Sequence, residues 1–545
     1  MNSLSLARQL GPGSAQQTEG HVLDMICVGF GPASLAIAIA LADKCAALPP
    51  SSRRLPRVLF LDKQTEFAWH AGMQLPDAHM QISFLKDLAT PRDPTSPFSF
   101  INYLHSKGRL QKFINLGTFL PARKEYEDYM RWCAEHFENS VCYGREITKV
   151  EQDLNDKTGL VDGFRVQWND LTTGQAGSAL ARHVVVATGG RPFVPEIFKP
   201  FTTGRWPRFQ HSSQYATAME ALEKVRSEPE AIRRELEVAL DSLNEATDDV
   251  LDSDSLASQM IAEMGSSSKS LQNSQSAPRS AEEMAAIEKK IKTLRQKYTS
   301  IRTGLDSIGL GSVPERFVII GGGQSAAEIY MDLQSRFPES EIYIVVKGAS
   351  LRPSDDSPFV NEIFDPDRVD GIYAQAPAER QAALRLDKAT NYGVVRLGLL
   401  ESIYERLYLQ QVREPDEARW RCRVLANRSV VGVERGADGR GVVLELAPTS
   451  DLENGRGETA GRERLRATMV FFATGYVRNA HEEMLKETRS LLPQGSEGFV
   501  VTRDYRVKYD EKKIDSAAAG VWLQGCNEKT HGVSSEVPEC LPDES

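Results

Sequence analysis

The sequence predicts an α/β fold built on two nucleotide-binding units, and three observations carry that prediction. "DMICVGFGPASLAIAIALAD" (Asp24–Asp43) reads as a buried strand, a glycine turn and a helix. "ERFVIIGGGQSAAEIYMDL" (Glu315–Leu333) repeats the pattern much later in the chain. Two further apolar strands, "HVVVATGG" (His183–Gly190) and "TMVFFATGY" (Thr468–Tyr476), end alike in small residues that let the chain pass close to a bound ligand. At 545 residues the chain has room for two or three domains.

The elements follow in order. Residues 1–20 read as a flexible tail without a signal-peptide core. The first unit comprises strand Met25–Val28, a helix from about Pro32 to Lys44, and strand Arg57–Lys63. Residues 64–135 are rich in aromatics, methionine and proline, with little periodicity. Residues 222–311 change texture: two charged amphipathic helices flank the polar stretch "GSSSKSLQNSQSAPRS", as in a helical or disordered surface insertion. The second unit starts at Arg316, and its next strand is "EIYIVVK" (Glu341–Lys347).

Bulk properties exclude several classes. The net charge of −10 is spread along the chain and argues against nucleic acid as a partner. The longest apolar run, "LAIAIALA", is far too short to span a bilayer, so no membrane association is expected. Seven scattered cysteines (27, 45, 133, 142, 422, 526 and 540) form no C-x-x-C pair. They fit neither a metal site nor a dithiol reductase, and read as reduced thiols of a cytoplasmic protein.

The glycine loops define the chemistry. Gly29, Gly31 and Ser34 fill the G-x-G-x-x-G/A frame after a strand and before a helix, where free N–H groups can hold a pyrophosphate. The next strand ends at Asp62, a carboxylate able to accept both ribose hydroxyls. Gly321, Gly323 and Ala326 fill the same frame in the second unit, but there the strand ends at Lys347. A cation would attract a 2′-phosphate; the alternative is a solvated surface lysine. The pair therefore predicts two Rossmann-like domains, one for FAD and one for NADPH. The electrons have no dithiol, haem or iron–sulfur acceptor in the sequence, which leaves oxygen or a small organic molecule.

Five further stretches are more specific: Phe67–Leu104, Arg352–Pro366, Asp387–Val395, Phe472–Glu482 and Trp522–Ser534. Together with the glycine loops they resemble the L-ornithine N5-monooxygenases, flavin-dependent enzymes of hydroxamate siderophore biosynthesis. The resemblance spans most of residues 22–535 outside the insertion. It implies FAD and NADPH as cofactors and O2-dependent N5-hydroxylation of L-ornithine through a C4a-hydroperoxyflavin. It also implies a homo-oligomer, a tetramer by resemblance.

The resemblance assigns sites as well. Asp62, Lys63, Trp69, His70, Gln81 and Ile147 would join Gly29, Gly31 and Ser34 around FAD. Gly322, Gly323, Gln324, Ser325, Lys347, Asn391, Tyr392 and Gly393 would hold NADP. Lys86 would grip the amino acid's carboxylate, with Asn361, Glu362, Ile363, Phe364 and Asn391 completing the substrate site. Taken alone, each of Asn361 and Asn391 reads more readily as a turn or cap residue. Met80 and Arg123 lie in family-like stretches without an assigned role. No side chain is expected to act as acid or base, and no metal is expected.

The implied domains are FAD-binding at 21–215 and, with substrate residues, at 401–535; an NADPH domain with substrate segments spans 313–400. A small, mainly helical region holds the substrate. Two departures stand out: the insertion, and residues 536–545, where Glu536-Val-Pro-Glu539 replaces the family's Ser-Leu-Leu-Ser. The alternative readings are an L-lysine N6-monooxygenase and a flavoprotein impaired by that altered C-terminus.

Overall fold

The computed structural model describes residues 3–11, 21–202, 208–247, 281–307, 316–437, 441–453 and 461–532. Strands β1 (Val22–Val28), β2 (Val58–Leu61), β3 (Val141–Cys142), β4 (Arg145–Leu154), β5 (Val161–Asp170) and β6 (Ala176–Val186) build one sheet in the order β3-β2-β1-β6-β5-β4. β1, β2, β3 and β6 run parallel, while β5 pairs antiparallel with β6 and β4. The chain leaves through β7 (Arg191–Pro192) and enters a second sheet at β8 (Phe209–His211). That sheet takes in β9 (Arg316–Ile320), β10 (Glu341–Val345) and β11 (Cys422–Leu425). A three-stranded antiparallel layer, β12 (Arg428–Arg435), β13 (Val442–Pro448) and β14 (Glu463–Ala467), follows. β15 (Met469–Phe472) then completes the all-parallel order β11-β10-β9-β15-β8. β16 (Tyr476–Val477) returns, pairing antiparallel with β7, and β17 (Gly520–Leu523) joins the first sheet beside β6.

Parallel strands carry helices on both faces, so they must be apolar throughout. "VLFL" of β2 and "MVFF" of β15 are buried at every residue. β1 lies between β2 and β6, and β9 between β10 and β15, so the strand order reverses at each. The crevice beyond the carboxyl end of such a strand is where ligands bind in doubly wound folds.

Three expectations need correction. The 1–20 tail contains a helix, Ser3–Ala7, and Leu6, Ala7 and Leu10 are buried against the helix Pro32–Ala47; residues 12–20 lie outside the described residues. Its apolar face is too short for periodicity to reveal. The 401–535 segment is not one piece of the first domain, because β11 and β15 hydrogen-bond into the second sheet, as does β8 from the 21–215 segment. Strand partnership is decided by long-range register, which composition does not encode. The insertion's first helix, Tyr215–Thr247, starts inside the second sheet's core, where Tyr215, Met219 and Leu222 are buried. Further along, that helix packs on Ala281–Ser307 through Ile232, Leu236, Ala239, Ile291 and Leu294. The polar linker 248–280 and the divergent tail 536–545 lie outside the described residues. None of the described cysteines forms a disulfide, and no described helix is long and apolar enough to cross a membrane.

Candidate functional site

The first glycine loop closes against its own sheet. Gly29 has left-handed backbone (φ 93°), and a Cβ there would lie 2.6 Å from the Ala187 carbonyl oxygen at the end of β6. The "ATG" strand end thus packs on the loop itself. Gly31 caps the helix Pro32–Ala47 without a side-chain bond, and a Cβ there would meet nothing within 4 Å. The space beside that cap is therefore open. Ser34 is fully buried, and its Oγ has no protein partner. Asp62 directly follows β2; its Oδ2 accepts the Phe30 N–H at 2.6 Å and its Oδ1 the Gln64 N–H at 2.8 Å. A carboxylate tied to an open amide cradle fits the ribose and pyrophosphate of a dinucleotide.

Around this cradle the other expected flavin residues scatter. Trp69 and His70 stack edge-on at 4.8 Å between ring centroids, and His70 lies 6.2 Å from the Tyr476 ring. Part of the His70 surface is exposed to solvent. Desolvation by the protein packed against it, with help from the Arg123 and Arg478 cations, lowers its pKa to about 4. Gln81 and Lys63 are exposed. Ile147 points into the core shared with Leu59 and Leu61, so a ligand would meet its main chain rather than its side chain.

The second loop repeats the geometry with a different surface. Gly321 is left-handed (φ 133°), and a Cβ would collide with the Ala473 carbonyl oxygen at the end of β15. Gly323 caps the helix Gln324–Arg336, and a Cβ there would come 3.3 Å from the Gly393 Cα. At Gly322 a Cβ would lie 2.8 Å from Val346. Gln324 and Ser325 open the helix. Lys347 stands exposed just beyond β10 and Val346. The Tyr392 hydroxyl donates to Glu528 at 3.3 Å, and Asn391 ends the helix Pro377–Asn391.

Two expected substrate residues meet. The Lys86 ammonium lies 5.5 Å from the centroid of the Phe364 ring. Buried Asp87 anchors the lysine's loop by accepting the N–H groups of Ala89, Thr90 and Phe100. Ile363 is buried; Asn361 and Glu362 are exposed, and the Asn361 amide donates to the Asp356 carbonyl at 3.1 Å.

Sequence reasoning gave no role to the residue that ties these parts together. Arg123 begins the helix Arg123–Ala134 in the first half of the molecule. Its guanidinium makes a two-pronged contact with Glu328 of the second half, at 2.8 and 3.0 Å, and donates to the Met73 carbonyl at 2.7 Å. From the same helix, the Tyr126 hydroxyl donates to the Lys86 carbonyl at 3.1 Å. The only sequence signal was arginine and glutamate in otherwise amphipathic helices, which is too common to use.

Among known protein families, the model of L-lysine 6-monooxygenase/L-ornithine 5-monooxygenase matches residues 21–230 and 286–478. The chain belongs to this family. A relative from Aspergillus oryzae, named L-ornithine N(5)-monooxygenase, is 40% identical over 526 residues, covering 96% of this chain and 86% of its own. Among solved structures, the ornithine hydroxylase PvdA from Pseudomonas aeruginosa superimposes with a TM-score of 0.70 at 31% identity, covering 96% of both chains. The ornithine N-hydroxylase KtzI from Kutzneria, whose structure carries reduced FAD, NADP+ and L-ornithine, superimposes with a TM-score of 0.68 at 26% identity, covering 95% of both chains. The two cradles of this family member are thus built on the fold of flavin N-hydroxylases.

Proposed function

We propose that this family member is an FAD-dependent L-ornithine N5-monooxygenase of siderophore biosynthesis. The reaction is L-ornithine + NADPH + H+ + O2 → N5-hydroxy-L-ornithine + NADP+ + H2O. The observation that carries the reading is the pair of like-built loops that differ in the residue beyond the second strand, Asp62 against Lys347, in a chain close to relatives named for this activity.

Bound flavin and nicotinamide supply the hydride and oxygen chemistry, and the protein's contribution is binding, orientation and exclusion of water. Gly29, Gly31, Ser34 and Asp62 hold the FAD pyrophosphate and ribose, with Lys63, Trp69, His70, Gln81 and the Ile147 main chain around the rest. Gly322, Gly323, Gln324 and Ser325 take the NADPH pyrophosphate, with Asn391, Tyr392 and Gly393 beside it. Lys347 faces the 2′-phosphate as a point cation, without the fork an arginine would offer. Lys86 pairs with the ornithine carboxylate, and Asn361 to Phe364 with Asn391 complete that pocket. Desolvation there favours the neutral amine. The reading includes a cytoplasmic homo-oligomer, as the family resemblance implies.

The test is incubation of purified protein with FAD, NADPH and O2, adding L-ornithine or L-lysine in turn. Hydroxylamine and hydrogen peroxide are both quantified. Hydroxylated ornithine in step with NADPH use supports the reading. Product from lysine alone would move the chain to N6-hydroxylation. Peroxide without product would mean that the nucleotide sites work while the substrate pocket or the divergent tail does not.

A further inference from the structure

We propose that Arg123, Glu328 and Gln324 form a positioning relay that keeps the nicotinamide-nucleotide loop in register with the flavin-side segment. The inference rests on the two cofactor sites proposed above. The relay is continuous. At one end Arg123 is tied to the flavin-side segment twice, by its main-chain N–H to the Ala78 carbonyl (2.8 Å) and by its guanidinium to the Met73 carbonyl. In the middle it meets Glu328, and the two side chains are only 12% and 7% exposed. At the other end Gln324, the first residue after the glycine cap, donates to Glu328 at 2.9 Å. Its carbonyl accepts the Arg396 N–H at 2.9 Å, three residues beyond the Gly393 that faces the loop.

Side-chain packing shares this link, because Met73, Leu75 and Ala78 are buried in one cluster with Ala326, Ala327 and Tyr330. Beside the relay the two halves part around a cavity of about 650 Å³, lined by Leu75, Ala78 and His79 on one side and Gln324, Glu328 and Arg396 on the other. The polar bridge adds a directional tie to that apolar contact, at the edge of the cavity. A low-dielectric, two-pronged pair is directional, so it sets orientation as well as distance. Arg123 and Glu328 are positioning residues: they act through Gln324, the neighbouring His70 and the main chain of the flavin-side segment.

A double variant, Arg123→Met with Glu328→Leu, tests this on the FAD-loaded full chain. Replacing a buried ion pair by apolar side chains of similar volume is often neutral for stability, whereas removing one charge is not. The expected result is unchanged melting temperature and FAD content, with the NADP+ dissociation constant raised about tenfold by calorimetry. Hydrogen–deuterium exchange should quicken in both 71–80 and 321–328, although these segments belong to different halves. In turnover, the KM for NADPH should rise with that for ornithine unchanged. More NADPH should be diverted by NADPH + H+ + O2 → NADP+ + H2O2. The charge-swapped pair, Arg123→Glu with Glu328→Arg, should recover part of each effect. Should the double variant fail to fold, Glu328→Gln carries the same test, with smaller shifts in the same direction.

Unchanged NADP+ affinity and unchanged exchange in a folded variant overturn the proposal. Quickened exchange in one segment alone does so too, because it marks a local structural role. Affinity and exchange need no turnover. A parent chain that makes no hydroxylated ornithine therefore counts against the proposed function and leaves the relay decided on those two readouts.

Discussion

The two glycine loops have nearly the same backbone and different surroundings. In each, the first glycine is left-handed and pressed by a carbonyl from the neighbouring strand end, Ala187 in one and Ala473 in the other. In each, the second cap glycine is extended. Beyond that they diverge. Gly31 faces open space beside a carboxylate bonded to the loop, whereas Gly323 faces the Gly393 backbone and its unit carries the exposed Lys347 where the first has Asp62. The first glycine thus serves the fold in both units, and on the proposed reading what surrounds the second cap selects the ligand.

The largest effects come from breaking what the loops share. Gly321→Ala and Gly29→Ala combine a left-handed backbone with a backbone collision, together about 3 kcal/mol or more. Denaturant titration should show both as strongly destabilised; a parent-like midpoint for either refutes the packing role. Next comes the contrast between the caps. Gly31→Ala should leave the melting temperature within a degree or two and yet lower flavin absorbance per chain, with affinity down at least about tenfold. Retention of FAD by that variant would mean that the open space at Gly31 is not where a pyrophosphate sits.

The residues beyond the strands sharpen the comparison. Lys347→Glu should shift the ratio of flavin reduction rates from NADPH towards NADH by about tenfold, the scale of one lost charge contact. Lys347→Arg should move it the other way, and indifference to both would return Lys347 to the surface. Lys86→Met should raise the ornithine KM about tenfold and leave flavin reduction by NADPH untouched. An effect on reduction instead would place Lys86 at the nucleotide.

The smallest effect concerns His211, at the end of β8. The Ser213 N–H donates to His211 Nδ1 at 3.1 Å, which leaves Nε2–H to donate to the Gly475 carbonyl at 3.0 Å. Burial lowers this imidazole's pKa, only partly offset by the Gly475 bond, and a proton on Nδ1 would break the Ser213 bond. The native state therefore binds fewer protons than the unfolded one. The stability involved, about 1 kcal/mol or less, is fully present above the ordinary value of about 6.5 and lost as pH falls through the lowered native pKa. His211→Asn should flatten the melting-temperature slope between about pH 7 and 5, and an unchanged slope would remove His211 from this role.

What the sequence by itself determined is local. Strand–glycine–helix order, the frames at Gly29 and Gly321, the contrast of Asp62 with Lys347, and the helical insertion all follow from periodicity and backbone permissiveness within a few tens of residues. The meeting of Lys86 with Phe364 came from resemblance, since nothing near either residue encodes the other. Tertiary structure alone decided that the first residues pack on the core, that β8, β11 and β15 share one sheet, and that Arg123 finds Glu328. The physical reason is the same in each case. A glycine's freedom or a strand's apolar period is a property of neighbours in the chain, whereas sheet order and a buried ion pair join residues far apart in it, such as the 205 positions between Arg123 and Glu328. Such pairings win only when the whole core is assembled and no competing partner can be desolvated as completely.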